Sequence, residues 1–441
     1  MARTVEASSL VKIAFITPGT GNYYCGVCMR DNSLARSLID AGHEVTVLPT
    51  YLPHFLDEEA VAEDQPIFFG GINVYLQHKF SLFRHTPAWF DWILDCKWLL
   101  RKAAARSGMT SSKDLGEITI STFRGEDGPL AKEVRKVVDW FNQHEKPDVV
   151  FLSTILLAGL GRVVKRELDV PVHGFLQGED VFLDSLLPEY RDQAWELLSA
   201  DVAGLDACIA PSQYFAEHMG KRLNVPADKL RLHPNGITLD GYSTADEPPV
   251  KPALGFLVRL CPLKGLDLLV DAYLEIMKRG NHPELELRIA GGMTDDDAPY
   301  VEEQKEKIRA AGLDGQTTFL PNVDRDGKLA FLRDLTLFSV PSRYPEAFGL
   351  YVVEALAAGV PVVLPHAGAF PEIIEATDGG LLYQSGKISA LPDALENLLS
   401  RPEEAHAMGL RGHEAVTERF SNKTLAVELV DLVKSLHPTI S

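Results

Sequence analysis

Short apolar segments alternate with amphipathic helical segments along nearly the whole chain, and this alternation constrains the fold more than any other feature. Residues 12–17 (KIAFIT) have the pattern of a strand, residues 29–41 that of a helix, and residues 44–48 that of the next strand. Repeated strand–helix–strand units build parallel sheets, and fully apolar strands belong to sheets that helices cover on both faces. The sequence therefore predicts an α/β protein with doubly wound sheets.

One Pro-rich segment interrupts the alternation. Residues 243–252 (STADEPPVKP) contain three prolines and no hydrophobic period, which is typical of a linker. We therefore expect two Rossmann-like domains, residues 1–245 and 246–419, that face each other across a cleft. In the second domain, strands are predicted at residues 254–258, 285–290, 335–340 and 360–364, with only helices after them.

Charge and cysteine content exclude several classes of protein. A formal net charge of −19 over 441 residues argues against nucleic acid as the main partner, because phosphate backbones require a basic surface. The five cysteines are scattered and odd in number, which is typical of a reducing compartment. The chain begins without a secretory signal pattern, and its longest apolar stretch is too short to span a bilayer. We expect a cytoplasmic protein with no transmembrane segment.

Residues 345–361 (PEAFGLYVVEALAAGVP) carry the strongest functional signal. Glu346 precedes a predicted helix, and Glu354 lies eight positions later inside it. The amides of Phe348, Gly349 and Leu350 would be free donors at the helix N-terminus, where a pyrophosphate can bind. A carboxylate farther along can accept both hydroxyls of a ribose. The alternative is an ordinary Glu at a helix start and a solvated one within the helix.

Two cations follow a predicted strand in residues 256–270 (FLVRLCPLKGLDLLV). Arg259 and Lys264 lie between the end of that strand and the next helix. Arginine can neutralise a diphosphate with two parallel hydrogen bonds, and lysine can do so as a point charge. Taken in isolation, both side chains would be solvated surface cations.

Together these segments closely resemble the retaining glycosyltransferases of family 4, which have the two-domain GT-B fold. The resemblance implies that Glu346 holds hydroxyls of the donor sugar, that Glu354 holds the ribose, and that Arg259 and Lys264 bind the diphosphate. It also implies that residues 246–419 bind the nucleotide-sugar and residues 1–245 the acceptor, with a C-terminal helix at about 420–441 packing back on the first domain.

The glycine-rich loop at residues 17–29 departs from the family pattern. Family members have a Gly-Gly pair where this chain has Cys25 and Gly26. The resemblance implies that Gly26 lets the backbone approach the donor, although a plain tight turn is the alternative. Cys25 and Cys28 form a C-x-x-C pattern, but no second ligand pair accompanies it, so we expect neither a metal site nor a required disulfide.

The segment 171–182 (PVHGFLQGEDVF) contains the next candidates. Family members often have a histidine near the donor sugar at the end of this strand, where Gln177 stands here. Gln177 and Asp180 are therefore the expected donor contacts. His173, at the other end of the strand, is expected to be structural.

Residues 80–106 hold three of the five tryptophans together with several basic side chains. An acceptor cap, a membrane-surface patch and a helical hairpin packed on the core are all compatible with this pattern.

The sequence thus predicts a retaining hexosyltransferase that moves a sugar from a nucleotide-diphosphate-sugar to an unknown acceptor. No cofactor is expected, since the nucleotide-sugar is a substrate. No metal is expected either, because the cations and the helix N-terminus take its place and the acidic loop at residues 295–297 is expected to be solvated. A disaccharide phosphorylase of the same fold, a sugar-nucleotide epimerase and a non-catalytic binding protein are the alternatives.

Overall fold

The computed structural model describes residues 10–19, 26–54, 56, 58–62, 65–87, 91, 93–94, 96, 98–100 and 112–440. The chain forms two compact units: unit 1 is Met1–Pro234 with Leu425–Ser441, and unit 2 is Asn235–Thr424. Each unit contains its own six-stranded parallel sheet. Residues 243–252 contain neither helix nor strand and lie within unit 2.

The sheet of unit 1 has the strand order β2-β1-β3-β4-β5-β6. Its strands are β1 (Lys12–Pro18), β2 (Glu44–Thr50), β3 (Val149–Leu152), β4 (Val172–Phe175), β5 (Ala207–Ala210) and β6 (Leu230–Leu232). The described helices are α1 (Gly26–Asp40), α2 (Gly71–Lys79), α3 (Ser112–Arg124), α4 (Ala131–Gln143), α5 (Ala158–Leu168), α6 (Glu179–Ser185), α7 (Pro188–Ala203) and α8 (Gln213–Leu223). The central strands β3, β4 and β5 are buried throughout, as expected for a sheet with both faces covered.

The last helix, α16 (Asn422–Leu436), starts in unit 2 and continues in unit 1. It contributes four apolar side chains at helical spacing to the core of unit 1: Ala426, Leu429, Val430 and Val433. These side chains join Phe15 and Phe151 of the central strands in one buried cluster. One apolar face of the helix thus completes the core of unit 1.

The sheet of unit 2 has the order β12-β11-β10-β7-β8-β9. Its strands are β7 (Ala253–Leu257), β8 (Glu286–Gly291), β9 (Thr317–Pro321), β10 (Leu337–Phe338), β11 (Val362–Pro365) and β12 (Gly380–Tyr383). Its helices are α9 (Leu266–Arg279), α10 (Ala298–Ala310), α11 (Arg325–Arg333), α12 (Leu350–Ala357), α13 (Phe370–Thr377), α14 (Ala390–Leu399) and α15 (Pro402–Arg419). The predicted doubly wound architecture is confirmed, but β9 and β12 were not predicted, and β10 is shorter than expected.

Candidate active site

The winding of unit 2 reverses between β7 and β10, which are neighbours in the sheet. In doubly wound sheets this reversal opens a crevice at the carboxyl ends of the strands, where ligands bind. Arg259 and Lys264 follow the carboxyl end of β7, and Glu346 follows that of β10. The topology therefore brings three of the predicted side chains to loops at the one point of the sheet best suited to a ligand.

The loop that carries Lys264 is fixed by close backbone packing. Gly265 has a φ of 74°, and a Cβ atom at this position would lie 2.2 Å from the carbonyl oxygen of Pro341. Only glycine fits this conformation and this approach. At the start of α9, both oxygens of Asp267 accept hydrogen bonds from the Arg343 guanidinium, at 2.6 and 2.5 Å. The β7 and β10 loops are thus tied together beside Lys264.

Lys264 and Glu346 form an ion pair at the centre of a small polar cluster. Lys264 Nζ lies 2.6 Å from Glu346 Oε1, and the two side chains are 15% and 7% exposed. Two tyrosine hydroxyls also donate to the carboxylate: Tyr351 to Oε1 at 2.8 Å and Tyr344 to Oε2 at 2.9 Å. Lys264 Nζ in turn donates to the Tyr344 hydroxyl at 2.7 Å. Glu346 therefore accepts three hydrogen bonds, and about one acceptor position of the carboxylate, on Oε2, remains.

The hydroxyl of Tyr351 stays protonated within this cluster. Burial, together with the negative charge of Glu346, raises the pKa of Tyr351 well above its usual value. The hydroxyl is consequently a permanent donor to the carboxylate at any working pH.

The helix that follows Glu346 begins in a turn that requires glycine. Gly349, directly before α12, has a φ of 104°, and a Cβ atom there would lie 2.9 Å from the Phe370 ring. Gly368 packs still closer, since its Cβ would lie 2.5 Å from the Glu346 amide nitrogen. Phe348 is buried, so this segment contributes its backbone rather than that side chain. The first-turn amides of α12, beginning at Leu350, lack partners within the helix.

Glu354 lies inside α12 and has partners of its own. Its Oε1 atom is 2.8 Å from Nζ of Lys328, on α11, and accepts a hydrogen bond of 3.2 Å from the Tyr242 hydroxyl. The two motif carboxylates therefore belong to separate lysine–tyrosine clusters. Neither Lys328 nor the tyrosines were predicted from the sequence, because nothing in the linear pattern shows which donors meet these carboxylates.

Arg259 pairs with Asp297, which belongs to the acidic loop that was expected to be solvated. Its guanidinium lies 3.3 and 3.4 Å from the two carboxylate oxygens of Asp297, and its side chain is 58% exposed. Asp297 is buried, so the expectation of a solvated acidic loop at residues 295–297 was wrong at this position. Burial alone would raise its pKa, but hydrogen bonds from the Thr294 amide and hydroxyl and from Arg259 hold the pKa below its usual value. Asp297 is thus a charged anchor for Arg259.

In unit 1, the candidates Gln177 and Asp180 flank the start of α6. Strand β4 ends at Phe175, so Gln177 lies in the following loop, and Asp180 lies in the first turn of α6. Asp180 is 3.0 Å from Nε2 of His218. Glu179 lies between the two candidates, and its carboxylate accepts a hydrogen bond of 2.7 Å from the backbone amide of Gln177. Burial raises the pKa of Glu179 although its hydrogen bonds oppose the rise.

Gly26 is the first residue of α1, which follows the carboxyl end of β1. Cys25 lies outside the described residues, so the C-x-x-C pattern is described only at Cys28. That thiol is buried and donates to the carbonyl oxygen of Pro18 at 2.9 Å.

His173 is buried inside β4, and its Nε2 lies 3.1 Å from Nε2 of His437. Burial and the neighbouring His437 lower the pKa of His173 to about 4. Its place in the core fits the structural role expected from the sequence.

The aromatic segment at residues 80–106 is described only in part. Trp89 and Trp92 lie outside the described residues, as do residues 101–106. Phe80, Leu82 and Trp98 are exposed, so these three side chains are not part of a hairpin core.

Family models match both halves of the chain. Residues 26–236 match the model described as "Glycosyl transferase 4-like domain", and residues 245–415 match "Glycosyl transferases group 1". A GDP-mannose-dependent alpha-(1-6)-phosphatidylinositol monomannoside mannosyltransferase of Mycobacterium tuberculosis is 32% identical over 313 residues, which cover 67% of this chain and 75% of the relative. The chain belongs to glycosyltransferase family 4. It is therefore a glycosyltransferase that uses a nucleotide-sugar donor, as the sequence predicted, and the relatives favour neither the phosphorylase nor the epimerase alternative.

A further relative and two solved structures are also similar to this chain, the structures in fold. A D-inositol 3-phosphate glycosyltransferase of Nocardia farcinica is 28% identical over 219 residues, which cover 48% of each chain. A sucrose-phosphate synthase from Thermosynechococcus elongatus aligns with a TM-score of 0.70 at 18% identity, covering 97% of this chain and 100% of that one. Anabaena HepE, solved with UDP and glucose, aligns with a TM-score of 0.65 at 17% identity, covering 96% and 100%. The predicted GT-B fold of this family 4 enzyme is confirmed.

In the described part of the family 4 chain, every helix is too short or too polar to span a bilayer. Across the same residues, His, Cys, Asp and Glu side chains form no cluster of three or more suited to a metal ion.

Proposed function

We propose that unit 2 binds the nucleotide-sugar donor and that the Lys264–Glu346 cluster is the centre of the donor site. The observation that carries the proposal is the 2.6 Å contact between these two side chains at the point where the winding of the sheet reverses. Lys264 and Arg259 neutralise the donor diphosphate. The amides of Phe348, Gly349 and Leu350, at the start of α12, supply further donors to its oxygens.

The two motif carboxylates hold the hydroxyl groups of the donor. Glu346 uses the acceptor position that remains on Oε2 for a hydroxyl of the transferred sugar. Glu354, whose described donors meet at Oε1, accepts the ribose hydroxyls through Oε2. Separate clusters for the two carboxylates support separate roles.

The transfer proceeds with retention of anomeric configuration. A carboxylate that three donors already hold is a poor nucleophile, so Glu346 orients the sugar instead of attacking it. The acceptor hydroxyl oxygen bonds to the anomeric carbon on the face from which the diphosphate leaves, and the broken C–O bond leaves its electrons on the diphosphate. The hydroxyl proton passes to the departing phosphate oxygen. Cations and amides stabilise the developing negative charge, so the reaction needs no metal.

Unit 1 supplies the acceptor side, and Gly26, Gln177 and Asp180 are its proposed substrate contacts. Gly26 follows the carboxyl end of β1 and Gln177 that of β4, which is the edge at which ligands of such sheets bind. The firm attachment of the Gln177 backbone to buried Glu179 supports a fixed position for this loop. Gly26 stands at the first turn of α1, where backbone amides are available.

The acceptor carries an inositol ring and the transferred group is a hexose. Support for this comes from relatives described as acting on phosphatidylinositol monomannoside and on D-inositol 3-phosphate, the first of them with GDP-mannose. The reaction takes place in the cytoplasm, which the free thiols of Cys96, Cys208 and Cys261 support.

A donor and acceptor panel tests this proposal. The full chain is incubated with GDP- and UDP-hexoses, alone and with inositol phosphate or phosphatidylinositol vesicles, in buffer containing EDTA. We expect release of nucleoside diphosphate that depends on an inositol acceptor, with the product in the anomeric configuration of the donor. An inverted product would refute the one-face reaction, and activity that EDTA abolishes would refute metal independence. Transfer only to acceptors without inositol would refute the acceptor class.

A further inference from the structure

The second motif carboxylate, Glu354, has a lysine partner from a different helix. Lys328 lies in the first turn of α11, and its side chain and that of Glu354 are only 10% and 13% exposed. Lysine is seldom buried unless it is paired. Forming a buried pair removes hydration from both charges, so such a pair is weak evidence for a role in stability. The pair is better explained by a requirement to hold Glu354 in one orientation.

Tyr242 reaches the same oxygen atom as Lys328. Its hydroxyl donates to Glu354 Oε1 at 3.2 Å, and Lys328 Nζ donates to that atom at 2.8 Å. A carboxylate oxygen has about two acceptor positions, so these donors fill those of Oε1. The orientation of the carboxylate is then fixed, and Oε2 is left for donors from outside the protein.

Lys328 and Tyr242 lie on two parts of the chain that are packed against each other, α11 and the segment that ends at Tyr242. Arg325, on α11, donates to the carbonyl oxygen of Asp240 at 2.7 Å. Gly241 has a φ of 86°, and a Cβ atom there would lie 2.7 Å from Cδ1 of Leu329. The positive φ favours glycine at this position, and the contact packs the segment before Tyr242 against α11. Helix and segment therefore place their donors together.

We propose that Lys328 and Tyr242 are positioning residues for recognition of the donor ribose. They hold Oε1 of Glu354 so that Oε2 accepts the ribose hydroxyls, and neither residue contacts the substrate. Lys328 also offsets the charge of Glu354, so that the diphosphate does not meet an uncompensated carboxylate. The proposal rests on the ribose role of Glu354 proposed above.

The test compares two ligands that differ only at the ribose. Calorimetry on the full chain measures binding of GDP and of 2′,3′-dideoxy-GDP, with the corresponding UDP pair in parallel. The ratio of the two dissociation constants reports hydroxyl recognition. We expect wild type to favour the ribonucleotide by at least about tenfold, the value of one charge-assisted hydrogen bond. Lys328→Met and Tyr242→Phe should reduce that ratio to about threefold or less, and Lys328→Arg should restore most of it.

A matched control separates this effect from general damage. Lys307 pairs with Asp271 at 3.2 Å elsewhere in unit 2, so Lys307→Met removes a lysine–carboxylate pair of a different site. It should leave the ratio unchanged. If Lys328→Met does not fold, Tyr242→Phe and Lys328→Arg still decide the question.

Two different failures can be told apart. A wild type without any preference for the ribonucleotide refutes the ribose role of Glu354 itself. A wild-type preference that survives intact in Lys328→Met and Tyr242→Phe refutes only the positioning role. Equal weakening of both ligands in these variants, with the ratio preserved, also refutes it, since a merely structural role would act in that way.

Discussion

Replacing Tyr351 by phenylalanine removes one hydrogen bond from Glu346 and little else. The lost hydroxyl lies 2.8 Å from Oε1 of the carboxylate. The aromatic ring remains to pack against Phe338 and Phe370, whose ring centres are 6.3 and 6.4 Å away. Because the ring volume is retained, no cavity forms, and the effect is that of the missing donor.

The free-energy cost of losing this hydrogen bond depends on the surroundings of the Tyr351 hydroxyl. A hydrogen bond to a charged group contributes about 1.5–3 kcal/mol, and Tyr351 is only 8% exposed, so water replaces its hydroxyl poorly. Glu346 keeps Lys264 and Tyr344, and the buried charge therefore remains paired. We expect unit 2 to lose about 1–2 kcal/mol of stability and the turnover number to fall about 10- to 100-fold as the carboxylate loses its fixed orientation.

Two measurements on Tyr351→Phe distinguish orientation of the sugar from binding of the nucleotide. Steady-state release of nucleoside diphosphate should show the fall in kcat, whereas calorimetry with nucleoside diphosphate alone should give an affinity within about threefold of wild type, since Glu346 faces the sugar in this scheme. Tyr273→Phe is the matched control, because that buried tyrosine donates to the Leu285 carbonyl at 3.1 Å. It should lower stability by about 1 kcal/mol without changing kcat. A kcat of Tyr351→Phe within about twofold of wild type would refute the reasoning.

Three further predictions follow from the same structure. Lys264→Ala leaves buried Glu346 without its cation, so urea unfolding should show a loss of about 3–5 kcal/mol in stability, and turnover should fall about 30- to 1,000-fold. Arg259→Ala removes one partner of an exposed pair, so it should weaken donor binding while stability changes by less than about 1 kcal/mol. Normal turnover in both variants would contradict the proposed roles. Burial lowers the pKa of His173 to about 4, so between pH 6.5 and 4 this residue binds more protons in the unfolded chain. Other buried groups titrate in the same window, so the prediction compares two proteins: from pH 7 to pH 5, wild type should lose about 2 kcal/mol more stability in urea unfolding than His173→Gln, and equal pH dependence in both would refute this. Gly265 and Gly280 both have positive φ, but a Cβ atom at Gly280 would meet nothing within 4 Å. In thermal or urea unfolding, Gly265→Ala should therefore lower stability by at least about 1 kcal/mol more than Gly280→Ala does. Equal losses would show that the Pro341 contact is relaxed.

The strands that the sequence predicted in unit 2 differ from those it missed in their place in the sheet. The predicted strand β7 is fully buried and β11 likewise, so each is a continuous apolar run. The unpredicted β9 and β12 are the two edges of the sheet, and most of their residues are partly or fully exposed. An edge strand has a neighbour on one side only and needs fewer apolar residues, so composition alone does not distinguish it from a loop.

The candidate site was predictable to the extent that it lies in local motifs. Glu346 and Glu354 follow from one segment, and a helix beginning at Gly349 is expected from that segment alone. Their partners are set by tertiary packing, because Lys328 is 26 positions from Glu354 in the chain. Tyr351 is a weak signal in the sequence, because it is a polar aromatic residue in the first turn of a mostly aliphatic helix. Its position five residues after Glu346 indicates a contact only once the turn is known.

The distribution of charge at the site restricts which groups can attract the diphosphate. The chain carries a net charge of −19, and the positive charge of Lys264 is already balanced by Glu346 at 2.6 Å. Arg259 differs, since its contacts to Asp297 are 3.3–3.4 Å long and more than half of its side chain is exposed. Longer contacts in solvent are weaker than a short buried pair, so in the proposed donor site we expect Arg259 to be the cation that moves to an incoming phosphate at least cost. In the proposed donor site, Lys264 is held between Glu346 and Tyr344, so it would act on the diphosphate from a fixed position while it orients the carboxylate.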